Sequence, residues 1–406
     1  MGPGVSQARI TVVGLDGRPP DGATERLLED AALVVGGERH LEMLGVARER
    51  AVVLKGDLSE ALDRIEDADG PVVVLASGDP GFFGIVRLLA GRFGRENLRV
   101  LPGLSCVALA FARAGLSWDD AVTVSAHGRE PRRAANMCRA HPKVAVLTSP
   151  DFGPAELART LEGLGRSLVV AEKLGGPDER VFQGDAGTVG GMYWEDPNVV
   201  LVLDGERMAG HKGWISSGLQ SQGRWALPEA EFEHRSGMIT KSATRAFVLS
   251  RLGPGPGDLI WDVGAGSGSV AIECARFGAA TIAVERDPES STRIHRNAER
   301  HDVRVQLVEG EAPEVLRDLP EPDAVFVGGT GGNFDEIVKL CAVSVRRSVV
   351  LALVGLERVV PAAQILEDCG LGVETTFLQT SRMKGVGDLH RLAAESNIFV
   401  VSGSRP

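Results

Sequence analysis

The residues best suited to chemistry cluster in Leu259–Glu273, LIWDVGAGSGSVAIE. A buried strand is expected to run into a turn of alternating glycines, Gly264, Gly266 and Gly268, and then into an amphipathic helix. Glycine lets a backbone approach a ligand closely. A carboxylate, Glu285, closes the next apolar run, TIAVERD, about 20 residues further on, where an acid can take two ribose hydroxyls. The arrangement suits a nucleotide-like cofactor. An ordinary βαβ turn shares some of these features, and NAD is the tempting alternative. A dinucleotide fingerprint, however, wants Gly or Ala at the sixth position of G-x-G-x-x-G, and here that position is Ser269. The spacing G-x-G-x-G describes the turn better.

Other chemically competent residues flank this turn. Thr240 and Lys241, in GMITKSATR, stand at or just before the start of the preceding helix. Thr240 is suited to an ordinary N-cap, or to closing over a cofactor beside the glycine turn. After the fourth strand of this half comes VGGTGGN, ending at Asn333, either a flat floor for a planar substrate or a plain glycine turn. A basic, glycine-bearing stretch, SRMKGVGDLHRL, is expected between the last two strands. It carries Arg382, Lys384 and His390 and suits a polycarboxylate clamp or a solvated loop. Lys241, Arg245, Asn333, Arg382, Lys384 and His390 are the candidates for holding carboxylates or managing a proton. In the first half, ASGDPGFFG, LPGLSCVALAFARAGL and SAHGR each follow an expected strand. Each is weak alone, since Gly-Asp-Pro is a common turn and Pro-Gly-x-Ser can simply cap a helix. His127, beside Arg129, is either a surface histidine or a group that orients a substrate carboxylate or accepts a proton.

The elements that must position these residues alternate along the chain. ITVVGL, PVVVLAS, LRVLPG, AVTVSA, KVAVLTS, SLVVAEKL and NVVLVLD read as strands, with helical stretches between them. They imply a layered α/β domain with a mainly parallel sheet. The rhythm breaks over residues 205–236, a polar, aperiodic stretch, and resumes from Met238. The expected domains are 1–210, a linker 211–236, and 237–406. Two strands in succession, VETTFLQ and NIFVVSG, imply an antiparallel hairpin at the edge of the second sheet.

Composition narrows the class. A chain of 406 residues favours two domains. No apolar run is long enough to span a bilayer, and the N-terminal stretch lacks a tripartite signal. Five scattered cysteines without a C-x-x-C pair argue against a disulfide framework and against a structural metal site. A reducing cytoplasm is the expected compartment. A net charge of −11 weakens a nucleic-acid reading but leaves room for a small polyanion held by a local basic cluster.

In combination, these motifs are specific. The G-x-G-x-G turn resembles that of S-adenosylmethionine-dependent methyltransferases. MITKSATR, WDVGAGSGS, AVERDPE, EGEAPEVL and VFVGGTGG are similar to the cobalamin-pathway domain that methylates carbon 15 of a precorrin and removes a carboxyl group. That resemblance implies S-adenosylmethionine bound by Thr240, Gly264, Ala265, Gly266, Ser267, Gly268, Glu285, Glu311 and Ala312, with Glu311 at the adenine. The landmarks of the first half, in their order and spacing, resemble the tetrapyrrole methylases. AEKLGGPDERVFQG is similar to the branch that methylates carbon 5 of a precorrin. By that resemblance Ser77, Gly78, Asp79, Phe82, Ser105 and Cys106 line a second cofactor site. A departure falls at GLDGRPP, where many relatives read G-x-G-P-G and Gly17 stands in place of the proline; its role is open.

Together the halves resemble the fused, decarboxylating precorrin methyltransferases of cobalamin biosynthesis. The resemblance implies a two-subdomain tetrapyrrole-methylase fold followed by a Rossmann-like methyltransferase domain. It also implies one S-adenosylmethionine per domain, a precorrin substrate, no metal, no nucleic-acid or membrane partner, and a homo-oligomer. His127, Lys241, Asn333 and Arg382 are the catalytic candidates. The competing readings are an NAD-dependent oxidoreductase, an RNA or protein methyltransferase, and an enzyme whose first domain has lost catalysis.

Overall fold

A computed structural model describes residues 8–207, 216, 223–235 and 238–406. The chain divides into two compact units, Met1–Arg129 with Ala145–Leu203, and Glu130–Val144 with Asp204–Pro406.

The first unit is built on two sheets. One contains β1 (Ile10–Leu15), β2 (Leu33–Gly36), β3 (Ala51–Val53), β4 (Val72–Ser77) and β5 (Leu98–Leu101), in the order β3-β2-β4-β1-β5, with every pair parallel. Its central strands are β-branched runs buried on both faces. That is the pattern a helix-covered parallel sheet requires. The other sheet contains β6 (Val122–Ser125), β7 (Lys143–Leu147), β8 (Ser167–Glu172), β9 (Arg180–Asp185) and β10 (Asn198–Leu203), in the order β6-β7-β10-β8-β9. Here β8 pairs antiparallel with both β10 and β9. Two sheets fit the two-subdomain fold that the resemblance implies; the mainly parallel pairing expected holds throughout the first, while the second contains antiparallel pairs. Strands β2, β3 and β9 were not foreseen. The first two are only four and three residues long, and the third has no buried position.

The second unit carries one seven-stranded sheet. It comprises β11 (Leu259–Val263), β12 (Ala280–Glu285), β13 (Gln306–Glu309), β14 (Ala324–Val327), β15 (Ser348–Leu353), β16 (Gly372–Val386) and β17 (Leu389–Ser404), in the order β13-β12-β11-β14-β15-β17-β16. The first five are parallel, and β17 and β16 form the expected antiparallel edge. Strand order reverses between β11 and β14, and the crevice beyond the carboxyl ends of strands at such a switch point is where α/β sheets bind ligands. Trp261, Ile282, Val325 and Val349 fill one face of this sheet, and Ile260, Phe326 and Val350 the other.

One expectation fails here. SRMKGVGDLHRL is no loop: Ser381–Val386 and Leu389–Leu392 continue the two strands as a hairpin arm, register-paired Met383 with Leu392 and Lys384 with Arg391. Period-2 pairing carries on through polar residues because an antiparallel ladder satisfies the backbone regardless of side-chain polarity. Every residue of the stretch is exposed. Within the stretch expected as a linker, residues 223–235 are described, and there Leu227 and Phe232 are buried against Ile272 and Ala298. Residues 211–215, 217–222 and 236 lie outside the described residues.

Candidate active sites

In the second unit a cavity of about 370 Å³ opens over the carboxyl ends of β11 to β14. Each strand delivers part of the wall: Gly264, Gly266 and Ser267 after β11, Glu285 at the end of β12, Gly310–Ala312 after β13, and Gly329–Gly331 after β14. Gly264 is required here. It has φ +70°, and a side-chain carbon on it would lie 2.2 Å from the Gly329 carbonyl oxygen. Gly266 has φ +58° but nothing within 4 Å of an added carbon, so its open side is room for a ligand. The Glu285 carboxylate accepts the backbone N–H of Gly266 at 2.8 Å and those of Arg286 and Asp287 at 3.0 Å. A carboxylate has about four acceptor sites, so one remains for a ligand hydroxyl. Glu311, at the opposite wall, is exposed and paired with Arg286 at 2.8 Å.

Below the turn, Asp262 is fully buried. Its Oδ2 accepts the Ala271 N–H at 2.9 Å, and its Oδ1 has no partner. Burial, assisted by the Glu285 charge, pushes its carboxyl up to about 7. Asn297, also buried, holds the approach to the cavity in place. It donates to the Ser267 carbonyl at 2.9 Å and to the Glu233 carbonyl at 3.0 Å, and accepts the Glu233 N–H at 2.7 Å. This brings His234, Arg235 and Met238 to the cavity rim. Nothing in the sequence marked Asn297, because its partners are 30 and 64 positions away.

The catalytic candidates of this half are not gathered in the cavity. Lys241, not Thr240, is the N-cap of helix Ser242–Leu252, and it caps through its backbone alone. The Thr240 carbonyl accepts from Arg245 at 2.7 Å, and neither Thr240 nor Lys241 lines the cavity. Arg245 is wholly buried, paired with Glu273 at 3.5 Å and stacked over Phe232, so it serves packing rather than substrate. Asn333 is an exposed N-cap. Arg382 lies on the hairpin arm, paired with Glu395 at 2.7 Å and Glu229 at 3.5 Å. The glycine floor does reach the cavity through Gly329, Thr330 and Gly331, braced by Arg358 on the Thr330 hydroxyl at 2.8 Å.

The first unit holds a larger cavity, of about 680 Å³. Its floor comes from the carboxyl ends of β1 and β4, with Asp16, Gly17, Ser77 and Gly78. Phe82, Phe83, Leu104 and Cys106 form an apolar wall, and His127, Arg129 and Lys173 close the far side. Phe82, Phe83 and Leu104 are 36%, 46% and 47% exposed, a cluster of large apolar side chains left open on one wall. Gly17, whose role was open, has φ +88°, and a carbon added to it would sit 2.6 Å from the Gly175 backbone. It lets two loops touch. Ser105 spends its hydroxyl capping helix Cys106–Ala114 by accepting the Ala108 N–H at 3.1 Å, and Asp79 accepts the Gly81 N–H at 2.8 Å; neither lines the cavity. Burial pushes the Cys106 thiol up, away from the reactive thiolate. Two wall residues went unforeseen, Arg39 and His40, on helix Glu38–Met43 after β2.

Rossmann-like topology, a glycine turn and an acid at the end of the next strand suit a nucleotide-like cofactor, and the family matches make the class that of S-adenosylmethionine-dependent methyltransferases. Residues 230–403 match the precorrin methyltransferase domain, and residues 19–190 match the tetrapyrrole (corrin/porphyrin) methylases. The precorrin-6Y C(5,15)-methyltransferase (decarboxylating) of Sinorhizobium sp is 38% identical over 354 residues, covering 83% of this chain and 82% of the relative. Two shorter relatives match parts of the chain. The cobalt-precorrin-7 C(5)-methyltransferase of Salmonella typhimurium is 35% identical over 48% of this chain and 98% of its own length. The probable cobalt-precorrin-6B C(15)-methyltransferase (decarboxylating) of Pyrobaculum calidifontis is 34% identical over 43% of this chain and 94% of its own. The chain belongs to the precorrin-6Y C(5,15)-methyltransferase (decarboxylating) family.

Proposed function

We propose that the chain transfers two methyl groups to a precorrin, one in each unit, and removes one carboxyl group. The first unit acts at carbon 5, and the second at carbon 15 and on the ring C acetate. The observation that carries this is the presence of a separate cavity in each unit, each walled by the motif residues of its own methyltransferase type. Both volumes lie in the range of small-molecule sites, about 300–1,000 Å³.

In the second unit the residues present suit S-adenosylmethionine. Gly264 and Gly266 leave room for a close approach, Glu285 keeps an acceptor for a ribose hydroxyl, and Glu311 and Ala312 stand where the adenine would lie. In the first unit Ser77, Gly78, Phe82 and Cys106 line the corresponding wall. The bound group supplies an electrophilic methyl on a sulfonium. The protein's part is to align a nucleophilic carbon of the macrocycle with that methyl, and positioning alone can supply much of the rate. The partly exposed Phe82 and Phe83 give this cavity an apolar wall suited to a macrocycle. For decarboxylation the macrocycle is the electron sink: the C–CO2 bond breaks, its electron pair enters the conjugated system, and one proton is returned to carbon.

The test is mass spectrometry of products after the full chain meets a precorrin-6B substrate and S-adenosylmethionine. Gain of two methyl groups with loss of one CO2 is expected. A single methyl, or none, would contradict the two-site reading.

A further inference from the structure

Two guanidiniums face the first unit's cavity without a carboxylate to neutralise them. Among the described residues, Arg39 and Arg129 pair with no acid, although both line the wall. The other charged groups there are largely spent. Lys173 is paired with Glu195, Asp16 with Arg18, and Asp196 accepts from the Asn198 side-chain amide at 3.0 Å; Asp178 also lies on the wall. Arg129 sits over the Phe83 ring, 5.6 Å from its centroid, which orients the guanidinium while leaving its N–H groups free.

Arg39 is held differently. Its Nη2 lies 3.3 Å from Nε2 of His40, and the Ser77 hydroxyl lies 3.3 Å from the same nitrogen. His40 is 8% exposed. Burial, reinforced by the Arg39 charge, lowers its pKa to about 4. At neutral pH the ring is therefore uncharged, and its Nε2 can accept from the guanidinium without competing for an anion.

We infer that Arg39 and Arg129 receive side-chain carboxylates of the macrocycle in the first unit, and that His40 is a positioning residue that aims Arg39. The inference rests on the reading of this unit as the carbon-5 methylation site and adds the groups that select its substrate. A guanidinium matches the two oxygens of a carboxylate in a planar fork, so two of them at different points of one cavity recognise a spacing of acid arms as well as their charge. The apolar Phe82–Phe83 wall would take the ring system, and the two cations would take the arms at its edge.

A carboxylate also belongs to the methionine end of the cofactor, and the experiment separates the two sources. The full chain and its Arg39→Gln and Arg129→Gln variants would be compared in the KM and kcat of carbon-5 methylation by product mass spectrometry. S-adenosylhomocysteine affinity would be measured in parallel by calorimetry. Each variant should raise the macrocycle KM roughly tenfold to a hundredfold, the loss of one charge-assisted hydrogen bond, with kcat and S-adenosylhomocysteine affinity nearly unchanged. Raising the ionic strength should raise the KM of the parent chain more than that of the double variant. His40→Leu should raise KM in the same sense as Arg39→Gln, and His40→Gln, which keeps an acceptor, should raise it less. A macrocycle KM unmoved in both arginine variants overturns the inference while leaving the carbon-5 reading intact. Weakened S-adenosylhomocysteine binding with an unchanged KM assigns the cations to the cofactor and also overturns it. If the parent chain adds no methyl at carbon 5, both fall together.

Discussion

Glu285 shows how one side chain can serve structure and ligand at once. Its carboxylate ties the glycine turn to the end of β12 through three backbone N–H groups, and it keeps one acceptor for a ligand hydroxyl. Glu285→Ala should cost roughly 1.5–3 kcal/mol of cofactor binding in the second unit, read by calorimetry with S-adenosylhomocysteine. Two buried titrating residues give pH effects of opposite sign. His40 has a folded pKa of about 4, below its value of about 6.5 in the unfolded chain. The unfolded chain therefore takes the proton first as pH falls. The stability His40 contributes is complete above about pH 6.5 and is lost toward pH 4, on the order of 3 kcal/mol. Urea midpoints at about pH 7.5 and pH 5 should differ less in His40→Gln than in the parent chain. Asp262, pushed up to about 7, works the other way: stability falls as pH rises from 3.8 through 7. Asp262→Asn, whose amide oxygen can still accept the Ala271 N–H, should flatten that slope; an unchanged slope would show that the carboxyl is already charged in the folded chain.

At the scale of elements, the glycine turn makes the sharper claim. Gly264 and Gly266 both have positive φ, yet only Gly264 packs against backbone. Gly264→Ala should destabilise the second unit by more than the roughly 1–3 kcal/mol of a strained dihedral alone, because the Gly329 strand end must also move. Gly266→Ala should leave folding closer to intact and lose cofactor affinity instead. Thermal unfolding and S-adenosylhomocysteine titration of the two variants separate these outcomes. The hairpin arm belongs to the same scale. Its basic residues suit a clamp in the sequence; the ladder sets Lys384 opposite Arg391 with Arg382 two positions along the same face, but Arg382 is paired with Glu395 and none of the three lines the cavity.

At the scale of the molecule, the two cavities walled by methyltransferase motif residues predict two cofactors. Calorimetry should count two S-adenosylhomocysteine molecules per chain, and only one at the same concentrations in the Glu285→Ala variant. A count of one in the parent chain would mean that a single unit uses the cofactor.

Much of this is legible in the sequence alone. The β-branched runs marked the long central strands, because burial on both faces demands unbroken apolar stretches. Gly264, Gly266, Glu285 and Glu311 were legible, and they line one cavity, because successive strand–helix units of a parallel sheet place their strand-end residues at regular sequence intervals. Ser77, Gly78, Phe82 and Cys106, implied by the resemblance to the tetrapyrrole methylases, line the first cavity. What local sequence could not carry was the use to which a side chain is put. Ser105 and Ser77 are the same residue type in neighbouring motifs, yet one caps a helix and the other meets His40. Arg245 and Arg39 are both arginines on helices. One is sealed beside Glu273, and the other faces a cavity without an acid partner. The sequence by itself determined the long central elements and the glycine turn, since those depend on neighbours within a few dozen residues. Tertiary structure alone decided which polar groups are spent on one another and which are left for a ligand, because burial and pairing depend on partners brought together from distant parts of the chain.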